Sequence, residues 1–187
     1  IIQSLNSRHQ ATKFSMVRFG NVINSSGSVL PMFLDQKAQG GPLTITHKDV
    51  TRYFMTIPEA SNLVLQASML SSGGEVFILD MGEQLKIYEL AKKLIHLSGR
   101  SIALESGDDG IEITEIGLRP GEKMYEELLI SGDQLATDNP KIFKSMEQFP
   151  DLASMDKIIL QIKEVIKDNS YSGLIAIFKT YVEGYKS

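Results

Sequence analysis

The chain has 187 residues with 19 Lys and Arg against 23 Asp and Glu, a net charge of −4, and no cysteine. That length supports one domain with a substantial core or most of a two-lobed one, and the acidic balance excludes a diffuse basic surface for nucleic acid. The lack of cysteine removes disulfides, thiolate metal sites and cysteine nucleophiles together, and no apolar run reaches the roughly 18 residues of a membrane span.

The chain opens with Ile1-Ile2-Gln3-Ser4-Leu5-Asn6, which reads as the last turns of an amphipathic helix. With no initiator methionine, the expectation is a piece of a longer protein. Phe14 to Phe19 is a short β-rich run that stops at Gly20-Asn21. A polar loop, Asn24 to Ser28, leads into a helix from Val29 to Gln39 with Pro31 in its first turn, ended by Gly40-Gly41-Pro42. Leu43 to Thr46 and Tyr53 to Thr56 read as strands. Thr56-Ile57-Pro58-Glu59 starts the next helix, with Thr56 as cap and proline tolerated in the first turn; Ala60, Leu63, Val64 and Ala67 share its apolar face. Glu75 to Asp80 is an apolar strand ending at Gly82. Ile87, Leu90, Ala91, Leu94 and Leu97 form the stripe of a further helix stopped by Gly99. Ser106 to Gly110 is turn-like, and Ile111 to Ile116 alternates as a half-buried strand leading to Gly117-Leu118-Arg119-Pro120-Gly121-Glu122-Lys123. Thr137 to Pro150 reads as a linker. Two helices close the chain, one using Ile158, Ile159, Ile162, Val165 and Ile166, the other Leu174, Ile175, Phe178, Tyr181 and Val182. Strands and helices alternating across short loops predict an α/β layered fold.

Phosphate-binding glycine loops and a Gly-x-Ser-x-Gly elbow are missing from the sequence, and His9, His47 and His96 lack ligand spacing, so no metal site is expected. Tyr88 and Lys92 match a Tyr-x-x-x-Lys spacing, but their helix follows a late strand and they read as amphipathic surface residues. Three arginine segments carry more: Arg18-Phe19-Gly20-Asn21, Thr51-Arg52-Tyr53-Phe54 and Arg119-Pro120-Gly121-Glu122. Each lies where a strand meets a loop, the place where open α/β sheets present ligands. A guanidinium there can grip a diphosphate through two donors; the competing reading is a surface ion pair worth under about 1 kcal/mol.

Four stretches in order, VRFGNVINSSGSVLPMF (17–33), GPLTITHKDVTRYFMTIPEA (41–60), GEVFILDMG (74–82) and GLRPGEKMYEEL (117–128), resemble the CapD-like polysaccharide-biosynthesis branch of nucleotide-sugar dehydratases, within the extended short-chain dehydrogenase/reductase superfamily. The resemblance implies the C-terminal, substrate-binding part of such an enzyme: a Rossmann-like sheet remnant with a small substrate lobe over residues 1–150, and a helical extension over 151–187. It implies a UDP-N-acetylglucosamine 4,6-dehydratase using NAD or NADP, with the main cofactor site and all catalytic residues upstream, so that the chain alone is inactive. Asn21, Arg52 and Arg119 resemble the diphosphate ligands, Glu122 the ribose ligand, Ile45 the centre of the uracil-pairing strand, and Leu30 part of the helix bordering the nucleotide. Phe19, Gly20 and Val22 resemble the segment beside the nicotinamide. Asn24 departs from the family's usual glycine, and a left-handed turn is expected there. The implied partners are a UDP-sugar, the N-terminal half of the same protein and further copies of it. The implied location is cytoplasmic, with inner-membrane anchoring through N-terminal segments as an added feature of the branch. An epimerase or reductase on the same scaffold, and a non-catalytic nucleotide-sugar-binding module, are the alternatives.

Overall fold

The computed structural model describes residues 1–7, 11–103, 109–126, 134–145, 149–182 and 185. The chain divides into two units, one of residues 1–17, 67–78 and 129–187, the other of residues 18–66 and 79–128. In chain order the elements are α1 (Ile2–Asn6), β1 (Met16–Arg18), β2 (Asn21–Val22), α2 (Val29–Ala38), β3 (Leu43–Ile45), β4 (Thr51–Arg52), β5 (Phe54–Met55), α3 (Ile57–Leu70), β6 (Val76–Leu79), β7 (Leu85–Lys86), α4 (Ile87–Leu97), β8 (Ile113–Glu115), β9 (Gln134–Ala136), β10 (Ile142–Ser145), α5 (Leu152–Lys167) and α6 (Tyr171–Tyr181). This is the α/β class expected. Among the described residues no helix is long and apolar enough to cross a membrane.

The first unit is built on a four-stranded sheet of order β1-β6-β10-β9. All four residues of β6 are buried, as a central strand covered on both faces requires. The span expected as a linker is corrected here: residues 137–150 hold β10, whose Ile142 is fully buried and whose Phe143, Lys144 and Ser145 pair antiparallel with Ala136, Leu135 and Gln134. The Asn-Pro turn ahead of it hid a strand of only four residues. The closing helices α5 and α6 belong to this unit together with α1, and Ser4 Oγ donates to the Pro150 carbonyl at 2.7 Å.

The second unit carries a core of Phe33, Leu43, Ile45, Val50, Ile87, Ala91, Ile95 and Ile111. Strands pair locally around it: β2 with β5 and β3 with β8, both parallel, and β4 with β7 antiparallel. The strand expected at Tyr53–Thr56 is present as β5, shortened to Phe54–Met55, and a further strand the sequence did not suggest, β4, precedes it across Tyr53 and pairs with a different partner. In α4 the buried residues are Ile87, Ala91 and Ile95. Leu97, assigned to the buried stripe from the sequence, is 86% exposed; it lies beyond the last buried turn, two positions round the helix from Ile95. Asn24 has φ 63°, the left-handed turn expected. The turn-like segment at Ser106 lies outside the described residues.

Candidate functional site

Every residue singled out as a site candidate falls in the second unit. A cleft of about 220 Å³ is lined there by residues from four stretches: Asn21 with Gly27 to Val29 and Met32; Thr44 to Thr46 with Val50 and Arg52; Ile87; and Ile116, Arg119 and Glu122. That volume is below the roughly 300–1,000 Å³ of whole small-molecule sites, so it suits part of a larger ligand.

The floor is built from β3 and α2. In β3, Leu43 and Ile45 are buried at 0% and 2% exposure. Thr44, Ile45 and Thr46 together line the cleft wall. Gln36 holds the strand in place, accepting from the Thr44 N–H at 3.0 Å, and the Ile45 carbonyl accepts from the Ile116 N–H at 2.9 Å. On α2, Val29 and Met32 share the face that meets the cleft. Leu30, one position round from Val29, is half-buried and outside the lining. Ser28, the residue before α2, makes no side-chain cap bond, and its buried Oγ has no partner among the described residues.

Arg52 is buried on β4 at 8% exposure. Its NH2 nitrogen meets Glu122 Oε1 at 3.1 Å and its Nε lies 3.5 Å from Glu126 Oε1. The NH1 nitrogen donates to the carbonyls of Thr51 at 2.7 Å and Met124 at 3.4 Å. Glu122 is equally engaged: Thr46 Oγ1 donates to Oε1 at 2.8 Å, and the Arg119 N–H to Oε2 at 3.1 Å. With Arg52 that makes three bonds against about four lone-pair sites on a carboxylate, leaving room for one further donor. The Arg119 side chain is exposed, and its guanidinium makes no ion pair or hydrogen bond among the described residues. Arg52 and Arg119 thus share one cleft but differ in availability.

Asn21 lines the cleft while Phe19, Gly20 and Val22 do not. The Asn21 N–H is spent on the Tyr53 carbonyl at 2.9 Å and the Ile23 N–H on Met55, and the Gly20 N–H points at the Met81 sulfur. Tyr88 and Lys92 are also outside the lining; Lys92 lies 5.4 Å from the Tyr88 ring centroid and pairs with Glu89 at 3.2 Å. Thr44 and Thr46 flank Ile45 in the stretch the resemblance had already marked, whereas Ser28, Val29 and Met32 are lining residues that the sequence reading missed.

A family model described as polysaccharide biosynthesis protein matches residues 1–147. The chain belongs to that family. Over 129 residues this polysaccharide biosynthesis family member is 60% identical to the capsular polysaccharide biosynthesis protein CapD of Staphylococcus aureus, covering 69% of this chain and 20% of the relative. It is 36% identical over 128 residues to a UDP-glucose 4-epimerase of Rickettsia canadensis, covering 68% of this chain and 35% of that protein. The X-ray structure of Pen from Bacillus thuringiensis superposes with a TM-score of 0.66 at 34% identity, covering 80% of this chain and 45% of that one. The chain therefore spans less than half the length of each of these relatives. Its α/β fold is that of the extended short-chain dehydrogenase/reductase type.

Proposed function

We propose that the cleft binds the nucleoside diphosphate of a UDP-sugar, and that the protein works as an NAD(P)-dependent UDP-N-acetylglucosamine 4,6-dehydratase in surface-polysaccharide synthesis. The observation carrying this reading is the convergence of Arg52 and Arg119, from distant parts of the sequence, on one cleft that also holds Asn21, Glu122, Thr44 and Thr46. Cations there meet phosphate, the remaining acceptor site of Glu122 meets a ribose hydroxyl, and Asn21 donates to the diphosphate. The polar edge beside Ile45 faces the base, and Leu30 supports the helix that borders it. Similarity to CapD and to a UDP-glucose 4-epimerase supports a nucleotide-sugar substrate.

The reading implies NAD or NADP, which supplies the hydride chemistry. The N–H groups of Gly20, Asn21 and Ile23 are spent inside the fold, which supports a dinucleotide site built mainly from other residues. Phe19, Gly20 and Val22 are therefore assigned only a wall beside the nicotinamide. This chain's share is binding and orientation of the substrate.

An epimerase is the second reading, favoured by the 36% identity to the Rickettsia protein. Incubating the intact protein with UDP-N-acetylglucosamine separates the two: a 4-keto-6-deoxy sugar supports the dehydratase and a C4 epimer the alternative. UDP binding with neither product would leave a non-catalytic module. In the same protein Arg119→Ala is expected to weaken UDP-sugar binding by roughly 2–4 kcal/mol, the loss of one or two charge-assisted hydrogen bonds. Unchanged affinity would end the phosphate assignment.

A further inference from the structure

A guanidinium offers five N–H groups, and a bidentate grip on phosphate uses two along one edge. In Arg52 neither edge has both free. The side edge runs through Nε, which faces Glu126 at 3.5 Å, and NH2, which faces Glu122 at 3.1 Å. The end edge runs through NH1, committed to the carbonyls of Thr51 and Met124. One positive charge thus faces two carboxylates. Glu122 lines the cleft, whereas Glu126 is absent from the lining and reaches Arg52 from elsewhere. Glu126 is itself placed by Gln84, the residue before β7: Gln84 Nε2 donates to its carbonyl at 3.2 Å, and Gln84 Oε1 accepts from Thr51 Oγ1 on β4.

We propose that Glu126 is a positioning residue that holds the Nε edge of Arg52 away from the ligand, so that Arg52 gives a diphosphate a single hydrogen bond while Arg119 provides the two-point grip. The inference rests on the diphosphate reading of the cleft. Such an arrangement tempers affinity, since each tenfold tightening of a product nucleotide slows its release correspondingly. It also makes the two arginines unequal, although both line the same cleft.

The test is calorimetric titration of the intact protein with inorganic pyrophosphate and with UDP. Glu126→Gln keeps the size of the side chain but removes its charge, and is expected to bind both ligands roughly tenfold more tightly, the worth of one added charge-assisted hydrogen bond. In an Arg52→Ala background the same change measures loss of a charge alone and should stay within about twofold. Glu126→Asp, which retracts the carboxylate while retaining charge, should give a smaller gain in the same direction, and it serves if the glutamine variant does not fold. Equal or weaker binding by the folded variants, or a gain that survives without Arg52, overturns the proposal. If wild type binds UDP but no variant gains, this inference alone fails. If neither wild type nor variants bind UDP or pyrophosphate, the diphosphate reading falls with it.

Discussion

Ser28 has extended backbone ahead of α2, with φ −77° and ψ 167°, the conformation of a helix cap, yet its hydroxyl makes no cap bond. Serine there normally accepts from an N–H of the first turn, and a buried hydroxyl left unmet costs about 1–3 kcal/mol. Ser28 lines the cleft, so on the proposed UDP-sugar reading the ligand supplies the missing partner. Ser28→Ala should leave the melting temperature of the ligand-free protein unchanged or raised, while weakening UDP binding by about 0.5–1.5 kcal/mol. A lowered melting temperature with full UDP affinity would return the hydroxyl to capping. Arg52 and Arg119 stood out in the sequence as arginines where a strand meets a loop, the usual place for ligands on an open α/β sheet, and Glu122 was singled out only by the family resemblance. Ser28 did not stand out, because a serine in the run Ser25-Ser26-Gly27-Ser28 looks like turn chemistry. Nor did the engagement of Arg52 by Glu126, which depends on how the segment after Gly121 folds back on β4.

At the scale of elements, the site depends on how closely β2 approaches the β4–β5 strand break. A Cβ built on Gly20 would lie 2.8 Å from Tyr53 Cβ and 3.1 Å from the Tyr53 carbonyl oxygen. Gly20 is therefore required by close packing, at the point where the Asn21 N–H bonds that same carbonyl. Gly20→Ala must push β2 from β5 and should destabilise by about 1–3 kcal/mol, in the range of overpacking, with a matching fall in the urea midpoint. A variant as stable as wild type would show that the strands separate freely, and the placement of Asn21 beside Arg52 would lose its structural basis. Helices α2, α3 and α4 were readable from their apolar periodicity to within a residue or two. The strands were less so. At two to four residues, β4, β5 and β10 carry too few positions for a period to show, and their pairing partners lie far along the chain.

Over the whole molecule, the sequence gives the α/β class and the family, but its contiguous segments do not predict the division into units. Residues 67–78 join the chain's two ends in the first unit, an arrangement set by contacts distant in sequence. Within that unit Glu75 is 5% exposed. Burial opposes its charge, but the N–H groups of Ser72 at 2.9 Å and Gly73 at 2.8 Å and the Ser71 hydroxyl at 3.2 Å outweigh it. The carboxyl is therefore held below its ordinary value of 4.5. A carboxylate with a depressed folded pKa contributes stability that is complete above the unfolded value and is lost as pH falls through the folded one. Wild type should accordingly lose part of its thermal stability below pH 4.5. Glu75→Gln cannot ionise and sets an amide N–H₂ among donors, so it should be less stable than wild type at neutral pH. The gap between the two should narrow as the solution is acidified. Melting curves of both proteins across that range are the check: a gap that stays constant with pH would mean that the buried carboxylate contributes through its shape, with its charge adding nothing.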